Sequence, residues 1–347
     1  MIIPPPHPAP FTNGIQHPDL WLWDSWVVRQ DGGLHLYCLA LSRVDESGAP
    51  IALPEFNDHR FHYRHFVSHD DGASWRDRGA VLSPGNIEDR SDARNVWSGG
   101  VHALPSGRIL FGYTGIAKAA PDHPYLQTIT FAKGGLDGPD TFPSAAHSHP
   151  MRDREAIIAA GYYLPNRGIG HRDGEDGGPI LAWRDPFMFE SAGTLHAVWS
   201  AKVAASIPAV AHATLKQTGT GLSLDLLPPI RLPDDAEYTQ AEVPKICRDA
   251  DTGDWLMMVS ACNRVHESQP DSDVWKELRL YRSAHINGPW QAAFPSGATI
   301  PGTDTLFGAS FLDRETQGSI VRLISPYWAA GGERAMSFAP VMEVRLA

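Results

Sequence analysis

The sequence has few cysteines, and their spacing argues against two classes of protein. The 347 residues include only Cys38, Cys247 and Cys262, an odd number without a Cys-x-x-Cys pair. A disulfide framework needs paired cysteines, and a typical zinc site needs clustered ligands. We therefore expect reduced and mostly buried thiols, as in a cytoplasmic protein.

Long apolar runs and basic stretches are also missing. No run of about 18 apolar residues occurs, so nothing predicts a membrane span. Residues 1–6 contain neither the basic nor the apolar part of a secretory signal, which favours a cytoplasmic location. The 29 basic and 40 acidic residues give a formal net charge of −11, without a cluster of Lys or Arg. Nucleic-acid binding requires such a cluster, so we expect neither a nucleic-acid nor a membrane partner.

Helical periodicity is scarce, and its one weak candidate lies around residues 152–160. Strand-like segments recur instead, each rich in aliphatic and aromatic residues and bounded by Gly, Asp, Asn or Pro. They include residues 34–39, 61–67, 108–113, 195–199, 255–259 and 278–281. This pattern predicts an all-β chain, which we interpret as one domain over residues 1–347.

The arrangement of these strands favours a β-propeller. In residues 183–199 and 240–259 a polar loop precedes a strand, a tight turn and a second strand. Such units resemble successive blades, each a short antiparallel sheet facing a central axis. A two-sheet sandwich would also give regular strands, but it gives no reason for acidic residues to recur just before each hairpin. In a propeller the first strand of every blade would line one shared cavity.

One segment predicts a particular turn. Ser68, Asp70, Gly72, Ser74 and Trp75 fit the Asp-box pattern S-x-D-x-G-x-S-W. In this turn the aspartate binds backbone amides and the tryptophan packs below it. Asp-boxes occur in sialidases, but no trio of arginines for a substrate carboxylate is evident. We therefore expect a self-contained turn on the outer face of the propeller.

Three acidic motifs carry the chemistry. Asp24 lies among three tryptophans, Arg184 and Asp185 precede Pro186, and Glu242 precedes another strand. Neighbouring residues of an extended chain face opposite ways, so we expect Arg184 and Asp185 not to pair, with Pro186 favouring extended backbone at Asp185. Each acidic residue alone could be a cap, an ion pair or a solvated loop residue. Together they match glycosidic-bond cleavage, which requires a nucleophile and a proton donor with separated pKa values.

In their order, these motifs resemble glycoside hydrolase family 68, the levansucrases and bacterial β-fructofuranosidases. The resemblance runs from about residue 21 to residue 327 and rests on Trp23-Asp24-Ser25-Trp26, Trp97-Ser98-Gly99, Arg184-Asp185-Pro186 and Glu242. The family shares a five-bladed β-propeller with families 32 and 43, so the resemblance implies that fold here.

The resemblance also implies roles for individual residues. Asp24 would be the nucleophile, Glu242 the general acid/base, and Asp185 the transition-state stabiliser that binds fructosyl hydroxyls. The residues expected to form the sugar subsite are Trp23, Trp97, Ser98, Arg184, Gln240 and Tyr327. The implied activity is that of a retaining β-fructofuranosidase. It would act on sucrose or small fructosides through a covalent fructosyl–enzyme intermediate and transfer fructosyl groups to acceptor sugars, without a cofactor or metal.

The sequence departs from the family beside the acid/base. Val243 stands where the family usually has arginine, and Gln240 stands where an acidic residue is common. Arg264 and His266 are candidates to replace the lost polar contact. Two alternatives stay open: an inverting arabinofuranosidase or xylosidase with Asp24 as general base, and a carbohydrate-binding propeller without catalysis. The partner in each case is a small sugar, and the sequence does not indicate the oligomeric state.

The 16 histidines do not form a metal motif. His59, His62, His65 and His69 cluster, but their spacing suits alternating strand positions, and no His-Glu-x-x-His sequence occurs. Residues 167–178, rich in Gly, Asp and Glu, are a candidate loop over the cavity or a calcium-binding loop, although EF-hand spacing is absent.

Overall fold

The protein is built almost entirely of β-strands. A computed structural model describes residues 1–51, 58–85, 90–117, 124–143, 145–171, 181–218, 221–266, 269–328 and 336–346. Within these ranges the regular helices are one α-helix, α1 (Arg154–Ala159), and one short 3-10 helix at Asp271–Asp273. The helix predicted around residues 152–160 is thus present and shorter than expected.

The strands form five main sheets. The first contains β1 (Phe11–Thr12), β2 (Leu20–Gln30), β3 (Gly33–Ser42), β4 (His62–Ser68) and β5 (Ser74–Leu82). The second contains β6 (Asn95–Ala103), β7 (Ile109–Ile116), β8 (Gln127–Gly135) and β9 (Gly138–Thr141). The third contains β10 (Arg184–Ser191), β11 (Thr194–Ala204), β12 (Ile207–Thr218) and β13 (Gly221–Ile230). The fourth contains β14 (Gln240–Arg248), β15 (Trp255–Cys262), β16 (Lys276–Ser283) and β17 (Gln291–Ala292). The fifth contains β18 (Ser310–Phe311), β19 (Ile320–Ile324) and β22 (Met342–Arg345), and a small separate sheet pairs β20 (Pro326–Tyr327) with β21 (Ser337–Phe338).

The five main sheets close into a ring. Each is antiparallel, with its strands in chain order except that β1 adds to the outer edge beside β5. The innermost strands, β2, β6, β10, β14 and β18, each contact the next around the ring, and β18 contacts β2. This is a five-bladed β-propeller, which confirms the predicted all-β fold and the predicted inner strands.

The core lies between neighbouring blades. A middle strand such as β15 is buried at every position because a blade packs against each of its faces. This explains why its sequence is a continuous apolar run rather than an alternation. The largest clusters each join two adjacent blades, for example Trp26 and Tyr63 with Phe111 and Tyr113 between the first two. Because neighbouring blades pack face to face, each inner strand is held in a fixed position around the propeller axis.

Ion pairs near the C-terminal end of β2 join the last blade to the first. Arg29 contacts both Asp71 and Asp313 at 2.8 Å, and Arg322 contacts Asp71 at 2.7 Å. Near the N-terminal end of β2, the Leu22 amide donates to the Met336 carbonyl at 2.8 Å. The ring is thus closed by contacts between blades rather than by a strand shared between them.

The Asp-box forms the predicted turn between β4 and β5. The Ser74 amide donates to the Asp70 carboxylate at 2.8 Å, and the hydroxyls of Ser68 and Ser74 also bind this carboxylate. These hydrogen bonds hold the pKa of Asp70 at about 2. Trp75 is completely buried below the turn. The motif satisfies its own polar groups, as expected for a structural element.

The histidines follow the strand pattern only in part. His62 and His65 lie on β4 and are buried, whereas His59 and His69 flank that strand. His65 stacks on His35 of β3, with ring nitrogens 3.0 Å apart. All three cysteines are buried free thiols, as predicted. No helix in the described part of the chain is long and apolar enough to cross a membrane.

A buried ion pair fastens the N-terminal segment to the first blade. Arg64 and Asp77 have fully buried side chains and make two hydrogen bonds at 2.8 and 2.5 Å. Arg64 also donates to the carbonyls of Pro4 and Pro5. Burial alone would raise the pKa of Asp77, but hydrogen bonds from His17 and Arg64 hold it well below its ordinary value.

We expect Asp77→Asn to lower the free energy of unfolding by about 3–5 kcal/mol, because it leaves the Arg64 charge buried without a counterion. Urea denaturation at neutral pH measures the change. The matched control is Asp225→Asn, which breaks the exposed pair with Lys216 and should change stability by less than about 1 kcal/mol. Equal effects of the two substitutions would contradict this role of the buried pair.

Candidate active site

Four of the five inner strands contain a β-bulge at the positions where the acidic motifs or their partners lie. In β2 the register shifts between Trp23 and Ser25, on either side of Asp24. The other shifts lie between Trp97 and Gly99 in β6, between Arg184 and Phe187 in β10, and between Glu242 and Lys245 in β14. A bulge bends its strand and redirects a side chain out of the alternating pattern. The bulges thus bring side chains from four inner strands together in one cluster.

Three residues in these bulges have a left-handed backbone. The φ angles are 41° for Asp24, 65° for Asp185 and 50° for Val243. Such conformations cost about 1–3 kcal/mol each for residues other than glycine, and the cost is highest for a β-branched residue. Backbone strain of this kind concentrates where a fold positions functional groups.

The left-handed backbone overturns one prediction. We expected extended geometry at Asp185, with Arg184 and Asp185 facing opposite ways. The bulge instead turns both side chains towards the same region, and the Arg184 Nε lies 3.6 Å from the Asp185 Oδ2. The alternation rule fails because it applies only to a regular strand, and Pro186 did not impose one here.

Asp24 is held from two sides. The Ser98 hydroxyl of β6 donates a short hydrogen bond to its Oδ2. On the other side lies Gly308, which precedes β18 with φ of 74°. A Cβ atom on Gly308 would overlap the Asp24 Oδ1 and lie 3.0 Å from the Asp24 Cα. The carboxylate therefore occupies the space that any larger residue at position 308 would fill.

The environment of Asp24 favours its protonated form. Burial raises its pKa from 3.8 to about 7, and the negative charges of Asp185 and Glu242 act in the same direction. The Ser98 hydrogen bond and the Lys245 charge oppose this rise. Like charges in a low-dielectric environment resist simultaneous ionisation, so the ionisation of Asp24 depends on that of Asp185.

Asp185 is buried in a ring of hydrogen-bond donors. Its Oδ2 accepts from the Val243 amide at 3.1 Å and lies 3.0 Å from the Ser200 hydroxyl. Its own amide donates to the Thr114 hydroxyl at 2.8 Å. Burial raises the pKa of Asp185, and the adjacent Arg184 charge partly offsets that effect. These contacts fix the Asp185 carboxylate in position.

Arg184 connects the third carboxylate to the rest of the site. Its Nη2 lies 3.0 Å from the Glu242 Oε1 and 3.1 Å from the Gln240 Oε1, while Nη1 donates to the Leu181 carbonyl at 2.9 Å. The Cys262 thiol also faces the Glu242 Oε1, at 3.5 Å. Glu242 keeps 18% of its side chain exposed, more than Arg184 with 7%. Of the two groups, the carboxyl is therefore the more accessible to an incoming molecule.

The other predicted subsite residues differ in how directly they join this cluster. Ser98 binds Asp24, while Trp97 is buried and its carbonyl accepts the Tyr63 hydroxyl at 2.7 Å. Trp23 is half-buried and packs edge-on against Phe61, with ring centroids 4.8 Å apart. Tyr327 lies on β20, a strand that contacts β2, and packs on the core of the last two blades. Tyr327 is thus the most peripheral of the set.

Val243 contributes its backbone rather than its side chain. The side chain is buried, with the residue 1% exposed, and the amide binds Asp185. The Arg264 carbonyl accepts from the Thr239 hydroxyl at 2.6 Å and from the Gln240 amide at 3.3 Å, which places Arg264 next to the Glu242 strand. The idea that Arg264 or His266 replaces the family's arginine stays a prediction.

Several residues of the site were missed by sequence reasoning. Thr114 and Ser200 each appear as a polar residue inside a buried strand, a usable but unspecific indication. Lys245 lies on strand β14 among both polar and apolar residues, and its 1% exposure could not be read from that sequence. Nothing in the sequence around Gly308 indicates its role, because that role depends on the close approach of Asp24 from a distant strand.

No metal cluster is found in the described ranges: no three His, Cys, Asp or Glu side chains there could hold an ion together. The predicted loop at residues 167–178 lies outside the described residues from position 172 onwards, and so does most of the segment of its calcium-binding alternative, which stays a prediction.

The ring of blades and the acidic centre define a five-bladed propeller with three carboxylates, an arginine and a lysine around its axis. The same fold occurs in solved enzymes. Inulosucrase from Halalkalicoccus jeotgali bound to kestose aligns with a TM-score of 0.68 and 17% identity, covering 100% of this chain and 88% of that chain. Bacillus subtilis levansucrase in complex with oligosaccharides aligns at 0.64 and 13%, covering 97% and 86%. A levansucrase complexed with sucrose aligns at 0.63 and 14%, covering 95% and 85%.

These structures confirm the resemblance to glycoside hydrolase family 68 at the level of the fold. No protein-family model and no curated protein sequence matches the chain. At identities of 13–17% the likeness establishes the architecture alone. The activity has to be argued from the residues of the site.

Proposed function

We propose that the protein is a retaining β-fructofuranosidase that cleaves sucrose or small fructosides through a covalent fructosyl–enzyme intermediate. The observation that carries this proposal is the meeting of Asp24, Asp185 and Glu242, from three different inner strands, in one cavity with Arg184. Asp24 is buried against the Ser98 hydroxyl, whereas Glu242 is partly exposed and bound to Arg184, so the two carboxyl groups proposed to react have different surroundings.

In the first step Asp24 attacks the anomeric C2 of the fructosyl group, and Glu242 donates a proton to the departing oxygen. The bond from C2 to that oxygen breaks as the bond to the carboxylate forms, which leaves the fructosyl ester and the free sugar. A tertiary anomeric carbon favours an oxocarbenium-like transition state, so a nearby carboxylate both stabilises positive charge and captures the fructosyl group.

Asp185 and Arg184 position the ring rather than react with it. Asp185 is locked by the Val243 amide and faces the cavity with acceptor capacity for sugar hydroxyls. Arg184 donates to Glu242, and this contact orients the acid towards the leaving oxygen.

In the second step Glu242 removes a proton from the acceptor, which attacks C2 and releases Asp24. Water gives hydrolysis, and a sugar hydroxyl gives transfer. The buried side chain of Val243 offers no polar group to a second sugar, so we expect hydrolysis to compete well with chain elongation.

The test is product analysis after incubation with sucrose, beside Asp24→Ala and Glu242→Ala. Equal glucose and fructose, lost in both variants, support a hydrolytic fructosidase, and glucose in excess of fructose supports transfer. β-Fructofuranose as the first anomer seen by NMR supports retention. Folded protein that leaves sucrose and short fructosides intact would refute the proposal, and arabinofuranosides and xylosides would be the next substrates.

A further inference from the structure

The side-chain amino group of Lys245 is buried among the inner strands of the propeller. It lies on β14 directly after the bulge that carries Glu242 and Val243, and the residue is 1% exposed. Its Nζ lies 3.5 Å from the Gly99 carbonyl on β6, the only hydrogen bond described for it, and 5.5 Å from the ring centroid of Phe187. An ammonium has three donors, so one long hydrogen bond and a distant ring leave it poorly solvated.

A buried charge in such surroundings needs compensation by opposite charge. Burial lowers the pKa of Lys245 to about 8, and the carboxylates of Asp185 and Asp24 act against that fall. No ion pair joins the Lys245 Nζ to either carboxylate among the described residues, so the attraction acts at longer range. The burial of Lys245 is therefore coupled to the ionisation of both aspartates.

The charged groups around Lys245 come from three inner strands. β2 contributes Asp24, β10 contributes Asp185 and Arg184, and β14 itself contributes Glu242. β6 contributes the Gly99 carbonyl and the Ser98 hydroxyl, which do not ionise at ordinary pH. With both aspartates ionised and Glu242 protonated, the two cations balance the two anions. Without Lys245 the same state carries one net negative charge.

We propose that Lys245 is a positioning residue that acts through Asp24 and Asp185 and favours the carboxylate form of both. The kinetic test of this inference rests on the proposed function, because it measures cleavage of the proposed substrate. Two carboxylates without a second cation would share a proton, and a protonated Asp24 cannot attack C2. Because Lys245 is only 1% exposed, it neutralises charge without occupying the place of a substrate hydroxyl.

The test compares charge removal with charge conservation. Lys245→Met removes the cation, Lys245→Gln removes it while keeping a donor for the Gly99 carbonyl, and Lys245→Arg keeps it. In a plot of kcat/KM against pH, the acid limb is the low-pH side on which activity falls. We expect its midpoint to move to a higher pH by about one unit or more in the Met and Gln variants, because loss of a nearby cation raises carboxyl pKa values. Activity on the acid side of that limb should then fall about tenfold and recover at higher pH. The arginine variant should keep the limb near its original place.

Lys202→Met is the matched control. Lys202 is also 1% exposed, but it donates to the carbonyls of Ala205 and Thr239. Its loss should lower the melting temperature without moving the acid limb. Equal loss of activity at every pH in Lys245→Met and Lys245→Gln, with the limb in place, would overturn the proposal and assign Lys245 a purely structural role.

A second measurement separates this inference from the proposed function. NMR titration of protein labelled at the aspartate carboxyl carbons, with the Asp24 signal assigned by Asp24→Asn, reports the Asp24 pKa without any substrate. A raised Asp24 pKa in Lys245→Gln supports the inference even if sucrose is not cleaved. An unchanged pKa overturns it, whatever the substrate.

Discussion

Asp24→Asn is expected to reduce sucrose cleavage about 10⁴-fold or more, because an amide cannot form the fructosyl ester. The substitution keeps the size of the side chain and an acceptor oxygen for the Ser98 hydroxyl. The loss should therefore come from chemistry rather than from packing. Initial rates of glucose release, with folding checked by circular dichroism, measure it.

Glu242→Gln separates the acid from the nucleophile. General acid catalysis contributes about 10²–10⁴-fold, so sucrose cleavage should fall by that amount. Fructosyl fluoride needs little protonation of its leaving group, and the glutamine variant should still release fluoride as it forms the intermediate. The Asp24→Asn variant should be inactive towards both substrates. Equal inactivity of Glu242→Gln towards both would contradict the acid role.

Glu190→Gln serves as the control for both variants. Glu190 lies on the inner strand β10, like Asp185, but its carboxylate contacts His102 at 3.4 Å and belongs to no part of the site. Its substitution should leave sucrose cleavage within about twofold. A folded Asp24→Asn protein with near-native activity would remove Asp24 from the mechanism.

The fold could be predicted from sequence because its signals are local. Short apolar strands, tight turns and the Asp-box each follow from nearby residues, and the order of the acidic motifs indicated which strands face the axis. The inner strands then brought Asp24, Asp185 and Glu242 together, as expected if the first strand of every blade faces the axis.

The finer geometry could not be predicted because it depends on irregular strands and distant neighbours. The alternation rule placed Arg184 and Asp185 on opposite sides, whereas a bulge sets their charged atoms 3.6 Å apart. Lys245 reads as an ordinary strand lysine until β6 and the two aspartates surround it. Sequence periodicity describes one strand at a time, and these features arise between strands.

Gly308→Ala tests the most exacting of these contacts between strands. A Cβ atom at this position would overlap the Asp24 Oδ1 and lie 3.0 Å from the Asp24 Cα, so the carboxylate or the backbone has to move. A displacement of about 1 Å at a reacting group can reduce activity about 10²-fold. We expect a loss of about that size or greater in kcat/KM for sucrose.

Backbone strain has to be separated from this steric effect, and Gly302→Ala provides the comparison. Gly302 has φ of 77°, against 74° for Gly308, but its added Cβ would meet nothing within 4 Å. Both substitutions force alanine into the left-handed region at a cost of about 1–2 kcal/mol, so both should lower the melting temperature. Only Gly308→Ala should lower activity. Because the two glycines differ in their neighbours and hardly in φ, equal activities would mean that the position of the Asp24 carboxylate does not limit the reaction.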